Sequence, residues 1–406
     1  MSAGIVGLTI LVLIKSCMSF DVYSNACEDY SDYVIRYWSR RCYYNPDVLS
    51  NTPMMIIRNG FPLESFTITT QDGYILSLFR IPTGNNKSNG TVFLMHGIFL
   101  NNSVWVQRGN KSLAFELVEK GYDVWLGSTR GTKFADSHLR FNTSSKDYWN
   151  FNLDSLAYFD VGAQLKFIAQ KTKKRITYIG FSTGSTLSLL YSAGYPSESR
   201  TLLSGIIAMA PTVYVQDIQL LRHFKEIVAP LERELARLKM YGVFHQHYIN
   251  KVLVQICATL PHFCKKLLEM FAGKLSTQFL PDELLLFFSN CPSGTSFQVL
   301  KHYLQMAESG DVHRYNYGRD NNLKYYHLSE PSKYDMRYVK IPAYVIYGRS
   351  DIVATETNVK RLFGELGSTR KRLVGVSDFT HLDFVTAKNV DQQLYSEIFR
   401  ILQEIY

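Results

Sequence analysis

Residues 176–190 read ITYIGFSTGSTLSLL, and the order of residue types in this stretch decides how the chain folds. Ile176, Thr177, Tyr178 and Ile179 are β-branched or aromatic and predict a strand. Gly180-Phe181-Ser182-Thr183-Gly184 then fits G-x-S-x-G, and Thr186 to Leu190 can continue as a helix. A serine carried between strand and helix needs a tight turn. Glycines two positions before and after it let neighbouring backbone come close. The pentapeptide alone is a weak signal, because an ordinary Gly/Ser turn also matches it. The strand before and the helix after are what single out Ser182 as a candidate nucleophile.

Working outward, strand-like and helix-like stretches alternate, the pattern of a mostly parallel sheet covered by helices. Residues 66–80 read as a hairpin turning at Asp72-Gly73, 91–95 as a buried strand, 111–120 as an amphipathic helix and 122–126 as a further strand. Helical periodicity covers 154–170, and 201–210 form another apolar strand. From 213 to 331 the character changes to helix-rich sequence without clear buried strands. Alternation resumes at 343–347 and 372–376, and a helix over 389–405 closes the chain. The fold class is therefore α/β: one core from residues 20–212 and 332–406, with residues 213–331 inserted as a helical cap.

The chain has 406 residues, 46% hydrophobic and 19% charged, which suits a globular protein with a full core. The apolar run 4–14 is too short for a membrane span of roughly 20 residues. Lys15 and a small-residue site at 17–19 follow it, so residues 1–19 read as a signal peptide. Five cysteines remain after its removal, and an oxidising compartment favours disulfides over metal ligation. Closure between neighbours in sequence predicts Cys27–Cys42 and Cys257–Cys264, with Cys291 free. No C-x-x-C or H-E-x-x-H occurs, and no metal site is expected. Sequons at Asn86, Asn89, Asn101, Asn110 and Asn142 agree with a secretory route. The net charge is +9, but its one dense run (Lys171, Lys173, Lys174, Arg175) reads as a solvated helix end. A nucleic-acid face would need a broader basic stripe with interleaved aromatics, so no nucleic-acid partner is expected.

A serine hydroxyl attacks well only when a base takes its proton, and the base must be held by an acid. With a serine on this kind of turn, the chain order is Ser, then Asp or Glu, then His. Asp351 follows the strand-like run Tyr344 to Tyr347, at a strand's C-terminal end, and His381 comes after the next strand and a polar loop. Asp378 and Asp383 are rival acids, but both share the histidine's own loop. A developing oxyanion needs backbone N–H donors, which points to Thr183 and to Ile98, just past His96-Gly97.

These residues belong to a wider pattern. Gly60-Phe61-Pro62, QDGYIL at 71–76, LMHG at 94–97, GYDVWLG at 121–127 with Arg130-Gly131, PSGTS at 292–296 with His302-Tyr303, and HLDF at 381–384 run through nearly the whole mature length. Together they make the chain resemble the acid lipase family, the gastric and lysosomal acid lipases and their animal relatives. The resemblance implies an α/β-hydrolase core with a helical cap and lid, no cofactor, a neutral lipid ester as substrate, and a secreted or lysosomal location. It carries Ser182, Asp351 and His381 onto the family's triad and Ile98 and Thr183 onto its oxyanion positions. The family elbow usually reads G-H-S-Q-G, so Phe181 and Thr183 are departures that bear on substrate and pH preference. Asn101 lies three residues beyond Ile98, which leaves Asn86, Asn89, Asn110 and Asn142 as the expected glycosylation sites. A small-ester carboxylesterase and a non-catalytic lipid-binding protein are the alternatives on this scaffold, and an intact triad argues against the second. The apolar run Leu284 to Phe288 reads either as cap core or as an apolar patch that meets lipid, and a lid that covers the triad in water and opens at a lipid droplet or membrane surface reconciles the two.

Overall fold

The computed structural model describes residues 25–84, 88–245 and 248–406; residues 1–19, expected to be a signal peptide, and the sequon Asn86 lie outside them. A short hairpin, β1 (Asn25–Cys27) and β2 (Cys42–Tyr44), starts the described chain. The main sheet takes β3 (Glu64–Thr69), β4 (Tyr74–Ile81), β5 (Thr91–Met95), β6 (Asp123–Leu126) and β7 (Ser137–His138). It continues with β8 (Ile176–Phe181) and β9 (Leu203–Met209). The helix-rich block contributes a separate short two-stranded ladder, β10 (Gly242–Val243) with β11 (Thr295–Ser296). The strands β12 (Ala343–Gly348) and β13 (Lys371–Val376) then complete the main sheet.

The sheet order is β13-β12-β9-β8-β5-β6-β4-β3, with β7 paired to β4. The strands from β13 to β6 are mutually parallel, and β3, β4 and β7 join antiparallel. Every residue of β5, β8 and β12 is buried, as strands covered on both faces require. Strand order reverses at β5: the chain steps to β6 on one side, then crosses to β8 on the other. A crevice opens beyond the carboxyl ends of strands at such a reversal. The register levels those ends, with Met95 opposite Gly180, Phe181 opposite Met209, and Gly348 opposite Val376.

Between β9 and β12 run the helices Gln219–Arg237, Tyr248–Thr259, Pro261–Ala272, Glu283–Asn290, Phe297–Ser309 and Arg319–Tyr326. Of the two readings of the run Leu284 to Phe288, burial in the core is the one seen here. Leu284, Leu285, Leu286, Phe287 and Phe288 are each at most 5% exposed. The N-terminal segment covers them: Tyr33 donates from its hydroxyl to Pro281 O (2.8 Å), and Tyr43 does so to Asp282 Oδ2 (2.9 Å). A buried ion pair between Arg108 and Glu283 (3.0 Å) pins the helix start. Five consecutive large apolar side chains cannot share one helix face, so the run is buried all round. Disulfides join Cys27 to Cys42 and Cys257 to Cys264, and Cys291 is a buried free thiol whose pKa burial pushes up to about 12.

Candidate active site

The turn after β8 sets Ser182 at φ 54° and ψ −120°, a conformation a non-glycine residue holds at a cost of roughly 1–3 kcal/mol. Surrounding hydrogen bonds keep it there. Ser182 N–H donates to Met209 O (2.9 Å), and the single proton of the Ser185 hydroxyl is shared between Gly180 O (2.7 Å) and Met209 O (2.9 Å). The two elbow glycines have steric causes. A Cβ on Gly180 would lie 2.5 Å from Ser185 N, and one on Gly184 would collide with Met95 O at the end of β5.

The structure brings the three sequence-selected side chains together. His381 Nε2 is 2.9 Å from Ser182 Oγ, and His381 Nδ1 is 2.8 Å from Asp351 Oδ2. The other Asp351 oxygen, Oδ1, accepts the N–H groups of Val353 (2.8 Å) and Ala354 (2.9 Å). All three residues are buried. The loops after β12 and β13 are stitched together, because Arg349 N–H donates to Val376 O and Ser350 N–H to Phe379 O. The rival acids are occupied elsewhere: Asp383 accepts Thr380 N–H (2.7 Å) and the hydroxyls of Thr380 and Ser276, while Asp378 is an exposed turn residue at φ 58°.

Ile98 and Thr183 line one apolar cavity of about 110 Å³ with Ser182, His381, Phe224 and Leu304. Thr183 opens the helix Thr183–Gly194, so its N–H has no acceptor within that helix. A second apolar cavity of about 220 Å³ lies against Phe181, Phe244, Leu253, Phe287 and the other side of His381. Phe99 and Phe271 border both cavities. Phe181 packs on the His381 ring with centroids 5.1 Å apart, so this departure from the family elbow forms a wall of the second cavity.

Behind the site, sequence reading missed two features. His96 follows β5 directly, before the Ile98 loop, with Nδ1 2.9 Å from Gly97 O and Nε2 3.4 Å from Thr129 N. Arg130 is buried between Asp160 (2.6 Å) and Asp72 (2.5 Å) and lies over the Tyr74 ring. Arg130 N–H also donates to Asp160 Oδ2 (2.8 Å), which anchors the loop that holds His96. Arg130-Gly131 was visible as a motif, but its carboxylates come from distant positions that no local pattern links.

Asn101 is buried, and its side-chain amide donates to Asn290 O (2.8 Å), so a glycan has no room there. Asn89, Asn110 and Asn142 are exposed. Among the described residues no helix is long and apolar enough to cross a membrane, and no group of three or more His, Cys, Asp or Glu could hold a metal ion.

A mostly parallel sheet with a serine at its elbow and a histidine–aspartate pair at its strand ends defines the α/β-hydrolase class of serine ester hydrolases. The chain matches the descriptions "alpha/beta hydrolase fold" over residues 90–240 and "Partial alpha/beta-hydrolase lipase region" over residues 52–109. It is 30% identical over 372 residues to lipase member K of Homo sapiens, covering 89% of this chain and 92% of that one. It is also 30% identical to gastric triacylglycerol lipase of Rattus norvegicus, covering 89% and 93%. A soluble variant of monoglyceride lipase from Saccharomyces cerevisiae shares the fold at TM-score 0.52 and 14% identity, covering 85% of this chain and 97% of that one. The chain belongs to the acid lipase family.

Proposed function

We propose that the protein is a lipase that hydrolyses long-chain esters of neutral lipids, triacylglycerols foremost, with Ser182 as nucleophile, His381 as general base and acid, and Asp351 orienting His381. The observation that carries this reading is the hydrogen-bonded chain Asp351–His381–Ser182 opening between two apolar cavities. Ser182 Oγ bonds to the ester carbonyl carbon as His381 Nε2 takes its proton, and the carbonyl oxygen gains the negative charge. The N–H groups of Ile98 and Thr183 donate to that oxyanion. The C–O bond to the alcohol breaks, and the alcohol oxygen takes the proton from Nε2. Water then attacks the acyl-enzyme carbonyl as His381 Nε2 takes its proton, the bond from the acyl carbon to Ser182 Oγ breaks with that proton passing to Oγ, and the fatty acid leaves.

Residues 213–331 act as the cap. With Leu284–Phe288 in the core, the lid role falls to helix Gln219–Arg237. Its Phe224 and Val228 line the first cavity, while Ile227 and Leu231 face solvent at 54% and 42% exposure. Apolar residues on both sides suit a helix that covers the site in water and meets lipid when it opens. The disulfides and the exposed sequons Asn89, Asn110 and Asn142 support a secreted or lysosomal location. The name gastric triacylglycerol lipase among the relatives supports the substrate class.

One observation favours a small-ester reading. The cavity beside Ser182 holds about 110 Å³, enough for a short acyl chain with the helix in this position. Purified protein assayed on emulsified long-chain triacylglycerol and on dissolved butyrate esters separates the two. A lipase shows the higher rate on the emulsion, rising as substrate passes its solubility limit. Smooth saturation on butyrate with no long-chain turnover would establish the esterase reading. Ser182→Ala should lower kcat by several orders of magnitude, and an organophosphonate should label Ser182. Labelling at another serine would overturn the assignment.

A further inference from the structure

Four buried hydroxyls run in a chain beside the elbow. Thr183 Oγ1 is 2.8 Å from the Tyr303 hydroxyl, which is 3.0 Å from Thr212 Oγ1, which is 3.0 Å from Thr186 Oγ1. The Thr186 hydroxyl in turn reaches the Ser182 carbonyl at 3.4 Å. Each hydroxyl carries one proton, so the direction follows from the end of the chain. A carbonyl only accepts, so Thr186 donates to Ser182 O. The Thr186 oxygen accepts the Thr212 N–H (3.1 Å) and the Thr212 hydroxyl. Tyr303 then donates to Thr212, and Thr183 donates to Tyr303. Run the other way, the chain would leave the Thr183 proton without an acceptor in it.

Both ends of the chain belong to one peptide unit. Ser182 C=O and Thr183 N–H are opposite edges of a single plane, and the Thr183 side chain branches from the residue that bears the N–H. The hydroxyls therefore close a loop around the peptide whose N–H is an oxyanion donor. We infer that Tyr303, Thr212 and Thr186 are positioning residues that hold the Ser182–Thr183 peptide so that its N–H meets the substrate oxygen in the transition state. Thr183, standing where the family usually carries Gln, connects the elbow to this chain. Hydrogen bonding at the carbonyl edge also polarises the peptide and strengthens its N–H as a donor. This inference rests on the proposed function, because it assigns work to that oxyanion hole.

Tyr303→Phe keeps the ring and removes the central hydroxyl, and Thr212→Val removes the next one while keeping its shape. Removing an oxyanion donor outright costs about 10²–10³ in kcat, and loosening one should cost about tenfold. On a dissolved butyrate ester each variant should lose about tenfold in kcat with KM nearly constant. Affinity for a trifluoromethyl ketone, whose adduct mimics the tetrahedral intermediate, should fall by the same factor. The double variant should lose no more than either single one, because both cut the same chain. A packing role would instead raise KM or lower thermal stability without selectively weakening the ketone. If Tyr303→Phe does not fold, Thr212→Val carries the test. Wild-type kcat in the folded variants, or losses that multiply in the double variant, would overturn the inference. Ser182→Ala is the control: its inactivity keeps the proposed function intact when the hydroxyl chain fails, and full activity in it removes both.

Discussion

Acidification should destabilise this protein through His96. The ring is 2% exposed, and its two nitrogens face opposite kinds of partner. Nδ1–H donates to Gly97 O at 2.9 Å, and Nε2 accepts the Thr129 N–H at 3.4 Å. A neutral imidazole satisfies both contacts, whereas an imidazolium would point a proton at Thr129 N–H. Burial accordingly lowers the His96 pKa to about 4 from its ordinary 6.5. The unfolded chain takes up this proton as pH falls through 6.5, but the folded chain does so only near 4. Stability from keeping the ring neutral is therefore fully present above pH 6.5 and is lost progressively down to about pH 4. A gap of about 2.5 pH units, at about 1.4 kcal/mol each, makes the full loss about 3–4 kcal/mol, of which about 3 kcal/mol is reached by pH 4. That is a sizeable part of an ordinary domain stability of about 5–15 kcal/mol. Urea unfolding at pH 7.5 and pH 4.0 should be compared for the wild type and His96→Gln. His302, whose pKa burial also lowers, contributes the same way in both proteins and cancels. The wild type should lose about 3 kcal/mol more than the variant across this interval. Equal losses would refute the assignment of acid sensitivity to His96.

Arg130→Met would leave Asp160 buried without its cation; burial already raises the Asp160 pKa to about 6. The expected loss is about 3–5 kcal/mol by urea unfolding, and a loss below about 1 kcal/mol would show that the ion cluster is not needed for stability. Replacing Cys27 and Cys42 by serine opens a bridge of sequence separation 15 and should cost about 3 kcal/mol, read as a lowered unfolding midpoint. Glycopeptide mapping of the protein from a eukaryotic host should find Asn101 unmodified; a glycan there would contradict its buried bond to Asn290 O.

Much of the site was legible because its chemistry demands local patterns. The elbow needs small residues at Gly180 and Gly184, where any Cβ meets backbone, and it needs a strand before it and a helix after. Both demands are written in consecutive residues. Asp351 and His381 were legible through strand order, since a parallel sheet delivers its functional groups at the carboxyl ends of successive strands. The departures at Phe181 and Thr183 were legible too, but not their effects.

What tertiary structure alone decided are relations between residues far apart in the chain. Leu284 to Phe288 carry the same apolar signal whether they form a lid or a core helix, and the choice fell to the N-terminal segment that packs over them. Tyr303 reads as one more aromatic on a cap helix until its hydroxyl meets Thr183 and Thr212, 120 and 91 residues away. Arg130 likewise meets Asp72 across 58 residues. Local periodicity records which face of an element is apolar and where backbone must turn. Which partner fills that face, and which proton a buried hydroxyl or imidazole keeps, depends on the three-dimensional arrangement around it.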